Sequence, residues 1–218
     1  MAYRALINKV LTRLREDTIS ANWSGAISDS TTLDDYEILI GELVNEAKEV
    51  VEDAWNWSVL RSIVPITTSS DTPTYTITGA NDRSRVLQVI DDTNNAELSQ
   101  MSDSLFYNYT YVGTQTNNRP TSYRLNGNDI SFYQTPDATY TIQAHMLIPQ
   151  SDLSLATDTL TVNERVVVLG AYALALNERG EDSGTLSDTA AQRFNNALVD
   201  AISQDESRTI NETTWYAS

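Results

Sequence analysis

Apolar residues recur every three or four positions at both ends of this chain and every second position through its middle. Leu6, Ile7, Val10, Leu11 and Leu14 hold helical spacing and predict a short helix over residues 3–16. Residues 18–32 are rich in Ser, Thr and Asp and break the pattern. A longer helix is predicted from Leu33 to about Leu60. Thr31 and Thr32 precede Asp34 and Asp35, which supply an N-cap and first-turn acids. Its expected apolar stripe is Tyr36, Leu39, Leu43, Ala47, Val50, Ala54 and Trp57. Glu37, Glu42, Glu46, Glu49 and Glu52 lie mostly away from that stripe. Trp55 and Trp57 close the helix, and Pro65 forbids much extension.

From Ile63 to Leu147, Thr, Tyr, Ile and Val alternate with polar residues between Gly, Pro, Asn and Asp breaks. Strands are predicted over 74–78, 85–90, 123–125 and 130–133, the last two flanking the hairpin signal Asn126-Gly127-Asn128-Asp129. Tyr140, Ile142, Ala144 and Met146 alternate with Thr141, Gln143, His145 and Leu147, the pattern of a half-buried strand. Residues 91–121 predict long loops with a short helix near Leu105.

Helix returns at about Val162, where Thr161 and Glu164 have capping-box spacing. Residues 166–176 are apolar nearly all round, as the central helix of a bundle would be, and Gly180 stops it. A fourth helix is predicted over 186–204 with Ala190, Phe194, Leu198 and Ile202 inward. The expected fold is therefore α+β: a four-helix hub from both ends of the chain (1–62 plus 161–205), an inserted antiparallel β-rich domain (63–160), and an extended C-terminal arm (206–218).

Charge narrows the function. The chain has 14 Lys+Arg against 30 Asp+Glu, a formal charge of -16. Such a surface repels nucleic-acid phosphates and anionic lipid, although it can line a passage through which DNA slides. There is no cysteine, hence no disulfide framework and no thiolate metal site. The N-terminal residues lack a continuous apolar stretch, and the longest apolar run, 166–176, is too short to span a membrane. The expectation is a soluble protein made in the cytoplasm.

Candidate chemistry is sparse. His145 is the only histidine and cannot build a zinc site by itself. No G-x-S-x-G elbow accompanies it. The carboxylates cluster on one predicted helix, where they make a solvated face and not an opposed catalytic pair. Gly79 and Gly113 stand alone, with no phosphate-cradling loop, so no metal or cofactor is expected and the chain reads as a non-enzyme. The aromatics are more informative. Tyr123, Tyr133 and Tyr140 suit sheet packing, whereas Tyr107, Tyr109 and Tyr111 lie among Asn and Thr in a stretch without period, the composition of a contact surface. A sugar-binding surface would look the same. In the polar tail, Ile210, Trp215 and Tyr216 are the apolar anchors.

Taken in order, several segments resemble the head-to-tail adaptor family of tailed phages, the portal-bound connectors also called tail tubular protein A. They are Tyr3-Arg4-Ala5-Leu6-Ile7-Asn8-Lys9-Val10-Leu11, Ala54-Trp55-Asn56-Trp57-Ser58, Arg119-Pro120-Thr121-Ser122-Tyr123, Asn126-Gly127-Asn128-Asp129-Ile130, Pro136-Asp137-Ala138-Thr139-Tyr140 and residues 169–180. The long polar loop over 20–32 departs from that pattern. The resemblance implies a virion structural protein at the head-tail junction: a ring of about twelve copies beneath the portal, sealing the DNA-filled head and attaching a nozzle or other tail protein. On this reading the arm, through Ile210, Trp215 and Tyr216, meets the portal, and Tyr107, Tyr109 and Tyr111 meet the tail component. Arg4, Lys9, Arg13 and Arg15 would meet the acidic face of the second helix, within or between subunits, and DNA would pass without specific binding. The competing readings are a receptor- or carbohydrate-binding virion module and a cell-wall hydrolase.

Overall fold

A computed structural model describes residues 1–29, 32–112, 117–180 and 184–208. The described elements are α1 (Tyr3–Leu14), α2 (Asp35–Ala54), α3 (Asp103–Tyr107), α4 (Glu164–Arg179) and α5 (Thr185–Glu206). The strands are β1 (Arg61–Thr67), β2 (Thr74–Thr76), β3 (Arg85–Asp91), β4 (Ala96–Glu97), β5 (Ser99–Gln100), β6 (Ser122–Asn126), β7 (Asp129–Tyr133) and β8 (Thr141–Leu147). The fold is α+β, and it divides into two compact units: Met1–Leu60 with Gln150–Ser218, and Arg61–Pro149.

The first unit is helical. α4 packs against α1, α2 and α5, and Val166, Val167, Val168, Leu169 and Ala171 are buried among them. α1 buries Tyr3, Leu6, Ile7, Val10, Leu11 and Leu14, each large apolar side chain contributing about 1.5–3 kcal/mol. It stops short of the expected Glu16, because Arg15 turns left-handed at φ 63° and closes the helix with its own N–H on the Leu11 and Thr12 carbonyls. α2 starts with a complete capping box between Asp34 and Glu37. It ends at Ala54, before the expected Leu60. Trp57 leaves the helix and folds back, its Nε1 donating to the Val51 carbonyl at 2.6 Å.

The buried face of α2 differs from the expected stripe. Ile40, Gly41, Val44, Ala47, Lys48, Val51 and Glu52 point inward, whereas Val50 and Ala54 are exposed. Two residues set this rotation. Gly41 lets Tyr3 and Ile27 lie against the helix backbone: a Cβ there would stand 2.6 Å from Ile27 Cδ1 and 2.8 Å from Tyr3 Oη. Lys48, itself buried, donates to the Gln150 and Ser151 carbonyls in the loop that leads into α4. Gly41→Ala should therefore cost about 1–3 kcal/mol in urea unfolding, despite alanine's better helix propensity. A stabilised variant would show that Ile27 and Tyr3 do not depend on that contact.

Two further expectations are corrected. The N-cap of α4 is Asn163, whose Oδ1 accepts from Arg165 N at 3.0 Å, and not Thr161. Thr161 Oγ1 instead donates to Gln150 Oε1 at 2.9 Å. On α5 the buried positions are Ala190, Ala197, Ala201 and Asp205, while Phe194, Leu198 and Ile202 are only half-buried. These alanines take the most buried positions, while the Phe194 ring lies over Gly170 of α4, where a Cβ would stand 3.0 Å from it.

The second unit holds two four-stranded sheets, ordered β1-β8-β3-β4 and β2-β7-β6-β5. Their inner faces share one core that includes Val64, Val89, Ile130, Phe132, Ile142 and Ala144. In β8 the alternation holds up to Met146: Ile142, Ala144 and Met146 are buried and Gln143 and His145 are half-buried on the other face, but Leu147, expected with them, is buried as well. β1 was not foreseen as a strand. It lies at a sheet edge, where the missing N–H of Pro65 breaks no interior ladder. β6 and β7 pair from Asn126↔Asp129, leaving Gly127-Asn128 as a two-residue turn with Gly127 at φ 59°. Residues 91–121, expected to be loop with one short helix, also contain β4 and β5, and β5 pairs parallel with β6.

Candidate assembly surfaces

Residues 102–112 present an exposed aromatic face with Tyr107, Tyr109 and Tyr111. Ser102 Oγ caps α3 by accepting from Leu105 N, and the helix widens into a π-helical turn over Asn108–Val112. Phe106 is buried and anchors the segment. Tyr107 and Tyr111 stack at 5.8 Å with 21° between their planes, and Tyr109 packs on Tyr133 of β7 at 5.2 Å. Tyr111 and Val112 are 76% and 82% exposed, and beside the half-exposed Tyr107 and Tyr109 they make an apolar surface patch.

Arg124 of β6 braces this face. Its guanidinium lies 4.9 Å from the ring centroids of both Phe106 and Tyr107, and Nη1 donates to Tyr107 Oη at 2.6 Å. Asp103 pairs with it at 3.5 Å. The three exposed tyrosines singled out in the sequence thus sit on one platform, tied to the sheet by Arg124 and Tyr133. Arg124, which sequence reasoning missed, holds the platform to the sheet, and no local signal marks an arginine in a strand as a brace for a helix 17 residues earlier.

The α1 cations divide in two. Arg4 Nη1 donates to the carbonyls of Ala21 and Trp23, the latter at 2.8 Å. Lys9 pairs with Glu164 of α4 at 3.1 Å. Neither reaches the acidic face of α2, so the within-chain version of that expected contact is not formed by these two. Arg13 and Arg15 are exposed, and among the described residues neither side chain has a partner. A groove of about 850 Å³ lies between α1 and α4, bordered by Arg4, Lys9, Arg13 and, from α4, Arg165. Arg165 was not singled out in the sequence. Ile210, Trp215 and Tyr216 lie outside the described residues.

Burial shifts two tyrosines. The hydroxyl of Tyr3 is pushed well above the ordinary range by desolvation, reinforced by Asp152, Glu42 and Asp158. Tyr123 is raised by burial and by Glu97. Tyr140 is raised because its hydroxyl donates to Asp137 at 2.6 Å. The Asp158 carboxyl is held below 3.8 by hydrogen bonds from the Leu155 and Ser154 backbone. Among the described residues, no three His, Asp or Glu side chains gather to hold a metal ion. No described helix is long and apolar enough to cross a membrane.

The residues that carried the resemblance are structural ties. Arg119 pairs with buried Asp91, Tyr123 fills the sheet core, and Ser58 meets Asp205 of α5. The sequence profile of the SU10 adaptor protein family matches residues 1–215. The chain belongs to the SU10 adaptor family. That match spans both units, so the helices and the sheets are parts of one family architecture. The SU10 adaptor family is a family of structural phage adaptors, which makes this chain a structural component of a phage particle. No curated protein matches the chain.

Proposed function

We propose that this chain is a head-to-tail adaptor of the tail-tubular-protein-A type, acting by assembly and not by catalysis. Copies close into a ring of about twelve beneath the portal of a filled head, with the tail or nozzle attached below. The observation that carries this reading is the adaptor-family match over residues 1–215. The tyrosine platform supports it, since Tyr107, Tyr109 and Tyr111 offer a contact surface to a tail protein. The C-terminal arm with Ile210, Trp215 and Tyr216 is the portal contact, and Arg13 and Arg15 belong to the contact between subunits. A net charge of -16 suits a channel that lets DNA leave without adhering.

The test uses DNA-filled heads that carry portals but no tails. The full chain should add a ring at the portal vertex, visible by negative-stain microscopy. Deleting residues 207–218 should leave the thermal midpoint almost unchanged yet abolish attachment. Attachment by the truncated chain would remove the arm from the portal contact. A chain that never binds portal-bearing heads but binds glycans through Tyr107, Tyr109 and Tyr111 would favour the receptor-binding alternative.

A further inference from the structure

The strongest unassigned feature is the α1–α4 groove. Its border is basic on a strongly acidic protein, and no residue of α2 borders it. Arg4 and Lys9 already have partners, the Ala21 and Trp23 carbonyls for the first and Glu164 for the second. Arg13 and Arg165 remain on opposite walls, both exposed and, among the described residues, without a side-chain partner. The groove is open, and Asn8, Thr12 and Thr18 lie along it beside Ala5, Ile19, Ala21 and Val168, so a charged ridge would find hydrogen-bond partners there as well as cations.

α2 carries the complement. Asp35, Glu42, Glu46, Glu49 and Asp53 fall within about 60° of arc at 100° per residue, a single ridge along the helix. The rotation of α2 that buries Gly41, Val44 and Lys48 turns this ridge outward, and Asp35, Glu42, Glu46 and Asp53 are exposed. Groove and ridge are different surfaces of one chain and opposite in charge. That is what a head-to-tail ring contact requires, because a heterologous interface joins two unlike patches of identical subunits.

We propose that the occupant of the α1–α4 groove is the acidic ridge of α2 from a second copy, with Glu42 and Glu46 facing Arg13 and Arg165. This rests on the adaptor reading and specifies its subunit contact. It also moves that contact from the N-terminal cations alone to a groove in which α4 supplies one of the two cations left without a side-chain partner among the described residues.

Two variants test it, with portal-bearing heads present as the assembly site. R13E/R165E reverses the groove, and E42K/E46K reverses the ridge. All four positions are exposed, so circular dichroism and thermal midpoint should match wild type. Each variant alone should need at least ~30-fold more protein to form rings, since like charges meet across the contact. An equimolar mixture should recover wild-type assembly, because every groove then finds a ridge of opposite sign. Wild-type assembly should also weaken between low and high salt. The inference is overturned if either variant assembles normally alone, or if the mixture fails while both are folded. It is likewise overturned if R13E/R165E loses only affinity for a short DNA duplex, which would make nucleic acid the occupant. Absence of wild-type rings on portals would instead reject the adaptor reading itself.

Discussion

Replacing Lys48 by alanine is expected to destabilise the helical unit by about 3–5 kcal/mol, the cost of removing one partner from a buried charged network. The side chain is fully buried, and its three ammonium protons have three acceptors. They are the carbonyls of Gln150 and Ser151, both at 2.9 Å, and Asp152 Oδ1 at 3.2 Å. One helical turn on, the buried Glu52 accepts from Gln150 N at 3.2 Å. Lys48 and Glu52 together therefore clamp the start of the segment over 150–163 onto α2. Lys48→Met preserves most of the packing volume but donates nothing, so it separates the polar contribution from the cavity. Both variants should lower the thermal midpoint by roughly 10 °C, given about 2–4 °C per kcal/mol for a chain of this size. Limited proteolysis should cut within 150–160 sooner. If Lys48→Met unfolds within 1 °C of wild type, the carbonyl contacts contribute nothing net and the residue is held there by packing alone.

Arg119→Ala is expected to have the second largest effect, about 2–3 kcal/mol on the β-rich unit. Asp91 is fully buried at the end of β3, with its Oδ2 3.0 Å from Arg119 Nε and 2.7 Å from Asn94 Nδ2. Removing the guanidinium leaves a buried carboxylate with amide donors only, which is costly. The loss falls below the full cost of breaking a buried pair because the arginine side chain is 37% exposed and water can enter in its place. The removal of both charges in D91N/R119A should recover part of the loss, a coupling that a double-mutant cycle in urea measures directly. Additive single and double effects would mean that the pair is not energetically linked. The same tie explains Arg119-Pro120. The arginine reaches back to β3, Pro120 is buried, and Thr121 N donates to the Tyr133 carbonyl at 2.8 Å, so the chain enters β6 in register.

Much of the secondary structure was legible because its signals are local. The α1 periodicity, the Asp34–Glu37 capping box, the Gly180 stop at φ 61° and the Gly127 turn each need only a few neighbouring residues. The strands that escaped notice lack such signals. β4 and β5 have two residues each and exist only through their pairing with β3 and β6. β1 carries a proline, which is tolerable only at a sheet edge, and edges are a property of the assembled sheet.

Helix faces were less legible than helices. The expected stripe of α2 followed its larger apolar residues. The true inward face is set by a glycine that permits close approach and by a lysine whose partners lie about a hundred residues away. On α5 the buried apolar residues are alanines, and the half-buried Phe194 rests its ring on Gly170 of α4, a contact across two helices that no local pattern marks. The surface residues divide similarly. Tyr107, Tyr109 and Tyr111 stood out because aromatics among Asn and Thr are unusual, but Arg124 beneath them and Arg165 across the groove carried no mark in the linear order.

The sequence by itself determined the α+β class, the order of the main helices and strands, the acidic surface and the phage-adaptor resemblance. These follow from periodicity, caps, charge and ordered short motifs, all of which act over a few residues or over the whole composition. Only the tertiary structure decided which side of each helix is buried, where Lys48 and Asp91 find their partners, and that α1 and α4 share a basic groove while α2 turns an acidic ridge outward. The physical reason is distance along the chain. A buried cation or carboxylate is stabilised by whichever groups folding brings to it, and those groups lie tens to hundreds of residues away, where no local pattern reaches.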